Sequence, residues 1–115
     1  MKITLENARD ILVTAVESRW GDWFAFHGVT RIFDLESENH LNITSVTVIC
    51  PDEVVRKWIT DHHIVTWANE NDIEIVKIIQ RGFGGIEDSG KYLFVDAIGA
   101  DWIIQKIMFG ETVFG

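Results

Sequence analysis

The sequence predicts an α+β domain: a mixed or mainly antiparallel sheet of about four or five strands, packed by two or three helices. Three observations predict it. The chain has 115 residues, one domain's worth with no linker dividing it. Apolar residues make up 47% and charged residues 24%, a mix that can bury a core. Helix-like and strand-like periodicities follow one another in blocks along the chain, which suits α+β better than strict βα alternation.

The first element is a helix. Thr4 stands in an N-cap position, and Leu5, Ala8, Ile11, Leu12, Ala15 and Val16 recur at three- and four-residue spacing up to about Arg19. The aromatic, β-rich stretch from Trp20 to Leu35 is broken by Gly21 and Gly28, so it reads as two strands, Trp23–Phe26 and Val29–Leu35. An acidic loop, Asp34 to Asn39, comes next. Leu41 to Cys50 is rich in Ile, Val and Thr and predicts a long strand. Its apolar phase slips midway: Leu41 and Ile43 share one face, while Val46, Val48 and Cys50 share the other. A β-bulge produces such a slip, as does burial of both faces at one end.

Pro51-Asp52-Glu53 has the composition of a helix start, with Val54, Val55, Trp58 and Ile59 as its apolar face. This helix ends near His62 or continues through Ile64, Val65, Trp67 and Ala68 to Asn71. Ile73 to Gln80 reads as a strand, Arg81 to Gly90 as a glycine-rich loop, and Lys91 to Ile98 as another strand. Asp101 to Gly110 fits a helix, capped by Asp101 and ended by Gly110, with Ile103, Ile104, Ile107 and Met108 on one face. Its β-branched residues also suit a last strand.

Charge excludes some functions. Eighteen acids against ten bases leave a net charge of −8. A nucleic-acid binder needs a basic stripe to displace counterions, and an anionic membrane attracts polybasic segments, so neither partner is expected. No apolar run approaches the ~20 residues that span a bilayer. Glu6 and Asp10 interrupt any leader-like apolar run, and the expected compartment is the cytoplasm, of a cell or of an infected host. A single cysteine, Cys50, precludes an intrachain disulfide and reads as a small buried hydrophobe.

Motifs of catalysis are weak. Gly85-Ile-Glu-Asp-Ser-Gly90-Lys91-Tyr92 nearly spells a phosphate loop. Tyr92 replaces the hydroxyl that would hold magnesium, however, and Glu87 and Asp88 would repel the phosphates. The neighbouring His62 and His63 point about 100° apart on a helix and so cannot both ligate one metal. A helix-end capping role suits them better. Asp96 shares a strand face with Tyr92, Phe94 and Ile98; a structural ion pair with Arg81 or Lys91 explains it more simply than a site does. No catalytic residue, metal site or cofactor is assigned.

Two functional readings remain. The first is a small acidic interaction protein, an inhibitor or adaptor that covers a basic protein, such as one that handles nucleic acid. Its contacts would come from Trp20, Asp22, Trp23, Asp34, Glu36, Glu38, Glu87 and Asp88. The acids steer a basic partner and the tryptophans anchor it. Small immunity proteins and phage-encoded inhibitors of host defence share this profile of composition, although no motif assigns a family. The second is a ligand-binding protein or enzyme with an aromatic pocket of Trp23, Phe26, His27, His62 and Asp96. A homo-oligomer is compatible with the first reading.

Overall fold

The computed structural model describes residues 3–18, 23–33, 41–87 and 92–110. The chain runs α1 (Leu5–Ser18), β1 (Ala25–Phe33), β2 (Leu41–Cys50), β3 (Val55–Thr60), α2 (Asp61–Glu70), α3 (Asp72–Gln80), β4 (Gly84–Glu87), β5 (Tyr92–Val95) and α4 (Ala97–Phe109). This is an α+β domain. Among the described residues the strands form two antiparallel sheets, β1-β2-β3 and β4-β5, rather than one sheet of four or five, and four helices pack them.

α1 forms as its pattern requires. Thr4 Oγ1 accepts from the Asn7 N–H, and Asn7 Oδ1 accepts from the Thr4 N–H, so the two residues satisfy each other's orphan donors. Ala8, Ile11, Leu12 and Ala15 are buried, and the helix lies across β2. Asn7 is buried too, with Nδ2 donating to the Leu93 carbonyl and so tying α1 to the second sheet.

The two strands expected between Trp23 and Leu35 are one strand, β1. The expected break at Gly28 is a bulge: the register shifts between His27 and Thr30, and Gly28 adopts φ 59°. A second shift, between Thr30 and Arg31, leaves Thr44 of β2 as the extra residue. That bulge explains the phase slip, since it returns Ile43 to the buried face of Val46, Val48 and Cys50.

Several assignments need correction. Pro51 to Val54 is a hairpin turn, not a helix start, and the following residues form β3, paired from Cys50↔Val55 to Ser45↔Thr60. The free edge of β2 offered six ladder positions, and β-branched Val55, Ile59 and Thr60 suit a pleat. The helix begins only at Asp61. Thr60 Oγ1 accepts from the His63 N–H, and His63 Nδ1 accepts from the Thr60 N–H. Ile73 to Gln80 is helix α3, not a strand. Ile75 and Ile78 are buried one helical turn apart, while Ile73 and Val76 face outward, a helical period despite the β-branched composition.

The region read as a glycine-rich loop contains β4, and its glycines serve packing rather than phosphate binding. A Cβ on Gly84 would lie 2.6 Å from the Phe94 carbonyl oxygen, and one on Gly85 would lie 2.8 Å from the Phe94 ring. β5 ends at Val95, earlier than expected. Asp96 is not a strand residue: its carboxylate caps α4 by accepting from the Gly99 N–H at 2.8 Å. Asp101 therefore lies inside α4 rather than at its cap. The expected end of that helix is correct, with Gly110 in the left-handed region at φ 76°.

Candidate functional site

Several expected site residues, namely Trp20, Asp22, Asp34, Glu36, Glu38 and Asp88, lie outside the described residues. Glu87 ends β4 opposite Tyr92. The remaining candidates do not gather round one point. Phe26 packs on the core opposite Val48 and meets Phe24 edge-on, whereas His27, its neighbour in the strand, is exposed on the opposite face. His62 is exposed at the start of α2, its N–H donating to Asp61 Oδ1, and Asp96 is committed to its cap. Among the described residues no group of three or more His, Cys, Asp or Glu could hold a metal ion. No described helix is long and apolar enough to cross a membrane. Cys50 is buried.

Trp23 has a specific role. Its Nε1–H donates to Asp101 Oδ1 at 2.6 Å, and Gln105 Nε2 donates to Asp101 Oδ2 at 2.7 Å. Asp101 is 8% exposed and has no cation within ion-pair distance among the described residues. Burial pushes its carboxyl above the usual aspartate range, and the bonds from Gln105 and Trp23 pull it partly back. This cluster ties the chain ahead of β1 to α4, where Phe24 also stacks on Phe109. The i, i+4 spacing of Asp101 and Gln105 was visible in the sequence; the third partner, 78 positions away, was not.

The exposed surface shows what is left uncommitted. Asp61 pairs with Arg9, Glu17 with Arg31, and Glu74 with both Lys77 and Lys106. Lys57 Nζ donates to the Ile107 carbonyl, and the Arg81 guanidinium lies over the Trp102 ring. Asp52, Glu53, Glu70, Asp72 and Arg56 are exposed and make no ion pair among the described residues. Each lies within three residues of an exposed apolar residue in the chain.

At the β2–β3 turn, Asp52 and Glu53 precede Val54, which is 91% exposed and held at φ 53°. A β-branched residue there is a backbone outlier. On the open face of the three-stranded sheet, Arg56 lies two residues from Trp58, which is 58% exposed. Where α2 meets α3, Glu70 and Asp72 precede Ile73, which is 72% exposed. The sequence hid both exposures: Trp58 read as part of a helix's apolar face, and Ile73 as the start of a strand.

Neither protein-family models, nor curated proteins, nor solved structures yield a match to this chain.

Proposed function

We propose that this chain is a small acidic interaction protein, an inhibitor or adaptor rather than an enzyme, and that the tip of the β2–β3 hairpin contacts a basic protein partner. One observation carries the reading: Val54 is held exposed in a strained conformation beside two unpaired acids. A left-handed valine costs folding energy, and leaving its side chain in water forgoes burial. Strain of this kind persists where it serves a site. An apolar knob with Asp52 and Glu53 beside it suits a shallow apolar spot within a basic surface. The acids raise the encounter rate and the valine supplies contact area. The net charge of −8 acts in the same direction at longer range. A protein that handles nucleic acid presents a surface of this kind.

The test is capture of partners by the tagged chain at low salt, elution by rising salt, and mass spectrometry of the eluate. It is run in parallel with Asp52→Lys/Glu53→Lys and with Val54→Gly. The reading expects one basic protein that leaves early from the charge variant and binds Val54→Gly several-fold more weakly. A captured set that both variants leave unchanged refutes the role of the tip. A partner of acidic character refutes the charge argument.

A further inference from the structure

We infer that His63 is a proton-operated latch at the junction of β3 and α2, closed while its imidazole is neutral and opened when the ring takes up a proton. This goes beyond the hairpin tip and does not depend on it.

β3 ends at Thr60 and α2 begins at Asp61, so no loop residue separates strand from helix. The capping box holds the junction by two bonds. The His63 N–H donates to Thr60 Oγ1 at 3.1 Å, and the Thr60 N–H donates to His63 Nδ1 at 3.2 Å. The far position of such a box is ordinarily glutamate or glutamine, whose side-chain oxygen accepts throughout the neutral range. Histidine in that place makes the second bond conditional. Nδ1 accepts only in the neutral imidazole that carries its proton on Nε2, whereas the imidazolium donates from both nitrogens. Histidine is the side chain whose charge changes between about pH 5 and 8. Protonation therefore sets a donor against the Thr60 N–H, and the ring must leave. The freed N–H belongs to an edge strand, and the bond is exposed, so water takes the place of His63.

The surroundings do not hold an imidazolium in the closed position. The Asp61 carboxylate is already engaged: Oδ2 accepts from Arg9 Nε of α1, and Oδ1 accepts from the His62 N–H. From β3, Arg56 shares the face of Trp58, while Lys57 points to the other face and donates to the Ile107 carbonyl. β2 carries no charged side chain. α3 meets α2 at the opposite end, with Asp72 and Glu74 in its first turn. The positive pole of α2 repels a cation at the third residue of the helix. The Trp58 ring, edge-on to His63 at 5.9 Å, does not discriminate, because an indole attracts a cation as well as a neutral ring. The cap alone distinguishes the two forms. The Arg9–Asp61 ion pair and the buried Ile64 and Ala68 keep α2 docked when the latch opens. Opening is therefore confined to the first turn of α2 and the Trp58 side of the junction.

The test follows the Thr60 amide by hydrogen-exchange NMR in the full-length chain alone, at about pH 8 and about pH 5. Wild type is compared with His63→Ala, which has no acceptor, with His63→Gln, which keeps one and cannot titrate, and with His62→Gln, which removes the neighbouring titration. Variants are compared at one pH, so the intrinsic pH dependence of exchange cancels. At the higher pH wild type should exchange about fivefold more slowly than His63→Ala, and at the lower pH the two should match. His63→Gln should stay slow at both, and His62→Gln should follow wild type. Nitrogen NMR of the neutral His63 ring should find its proton on Nε2. Circular dichroism confirms that each variant is folded at both values. A wild type no slower than His63→Ala at the higher pH, or still slower at the lower one, overturns the inference. So does a loss of protection that His63→Gln shares or His62→Gln abolishes, or a neutral ring with its proton on Nδ1.

Discussion

Replacing Val54 by glycine should make the protein more stable, against the usual direction of substitutions. Val54 sits at φ 53°. The left-handed region costs an L-residue about 1–2 kcal/mol, and a branched Cβ places valine at the upper end. Glycine removes that cost but gains about 0.5–1 kcal/mol of freedom in the unfolded chain. The valine side chain is 91% exposed, so its deletion forfeits almost no burial. The turn hydrogen bond from the Val54 N–H to the Pro51 carbonyl, 3.2 Å, survives the change. The balance is a gain of about 1 kcal/mol. Urea unfolding should show the midpoint rising by about half a molar with the slope unchanged, and the melting temperature rising by about 3–6 °C. A midpoint that stays or falls would mean that the turn relaxes in solution, and the argument from strain to a contact role would fail with it. A rise in stability together with a loss of partner binding would separate function from folding at a single residue.

The buried polar cluster and one glycine give further tests. Burial raises the folded-state pKa of Asp101 above its unfolded value, so its favourable contribution is complete below the unfolded pKa. It is lost as pH climbs through the raised folded value. Wild type should therefore lose stability relative to Asp101→Asn across that acidic window, and parallel stability curves would refute the assignment. Trp23→Phe removes a hydrogen bond that holds the Asp101 carboxyl down. Its pKa, followed by carboxyl NMR, should rise further, with a stability loss of about 1–2 kcal/mol; an unmoved titration would sink the claim. Gly99→Ala should cost about 3 kcal/mol or more, because its Cβ would lie 2.4 Å from the Phe83 carbonyl oxygen, between Val95 and Ile78. Wild-type stability in that variant would contradict the packing of α4 against the turn before β4.

Much of the local structure was legible in the chain. The Thr4 cap and the α1 stripe form as the spacing dictates, because capping and a strong 3.6 period are satisfied within one helix and its immediate support. The phase slip in β2 signalled either a bulge or a change of face, since only these disturb a period of two, and the register shows the bulge. Gly110 marked the end of α4 through a conformation that suits glycine best. Charge and cysteine count are properties of composition and need no fold at all.

The tertiary structure decided the rest, wherever a segment had two adequate local answers. Val54 to Thr60 could have been helix, but the open edge of β2 supplied backbone partners that made it a strand. Ile73 to Gln80 could have been a strand, but the core accepts a side chain there only at every third or fourth position. Asp101 finds Trp23 from 78 residues away, and no periodicity encodes that meeting. The exposure of Trp58 and Ile73 follows from the same two decisions. Residue types set what each position can do, but which face meets water depends on contacts between segments distant in sequence.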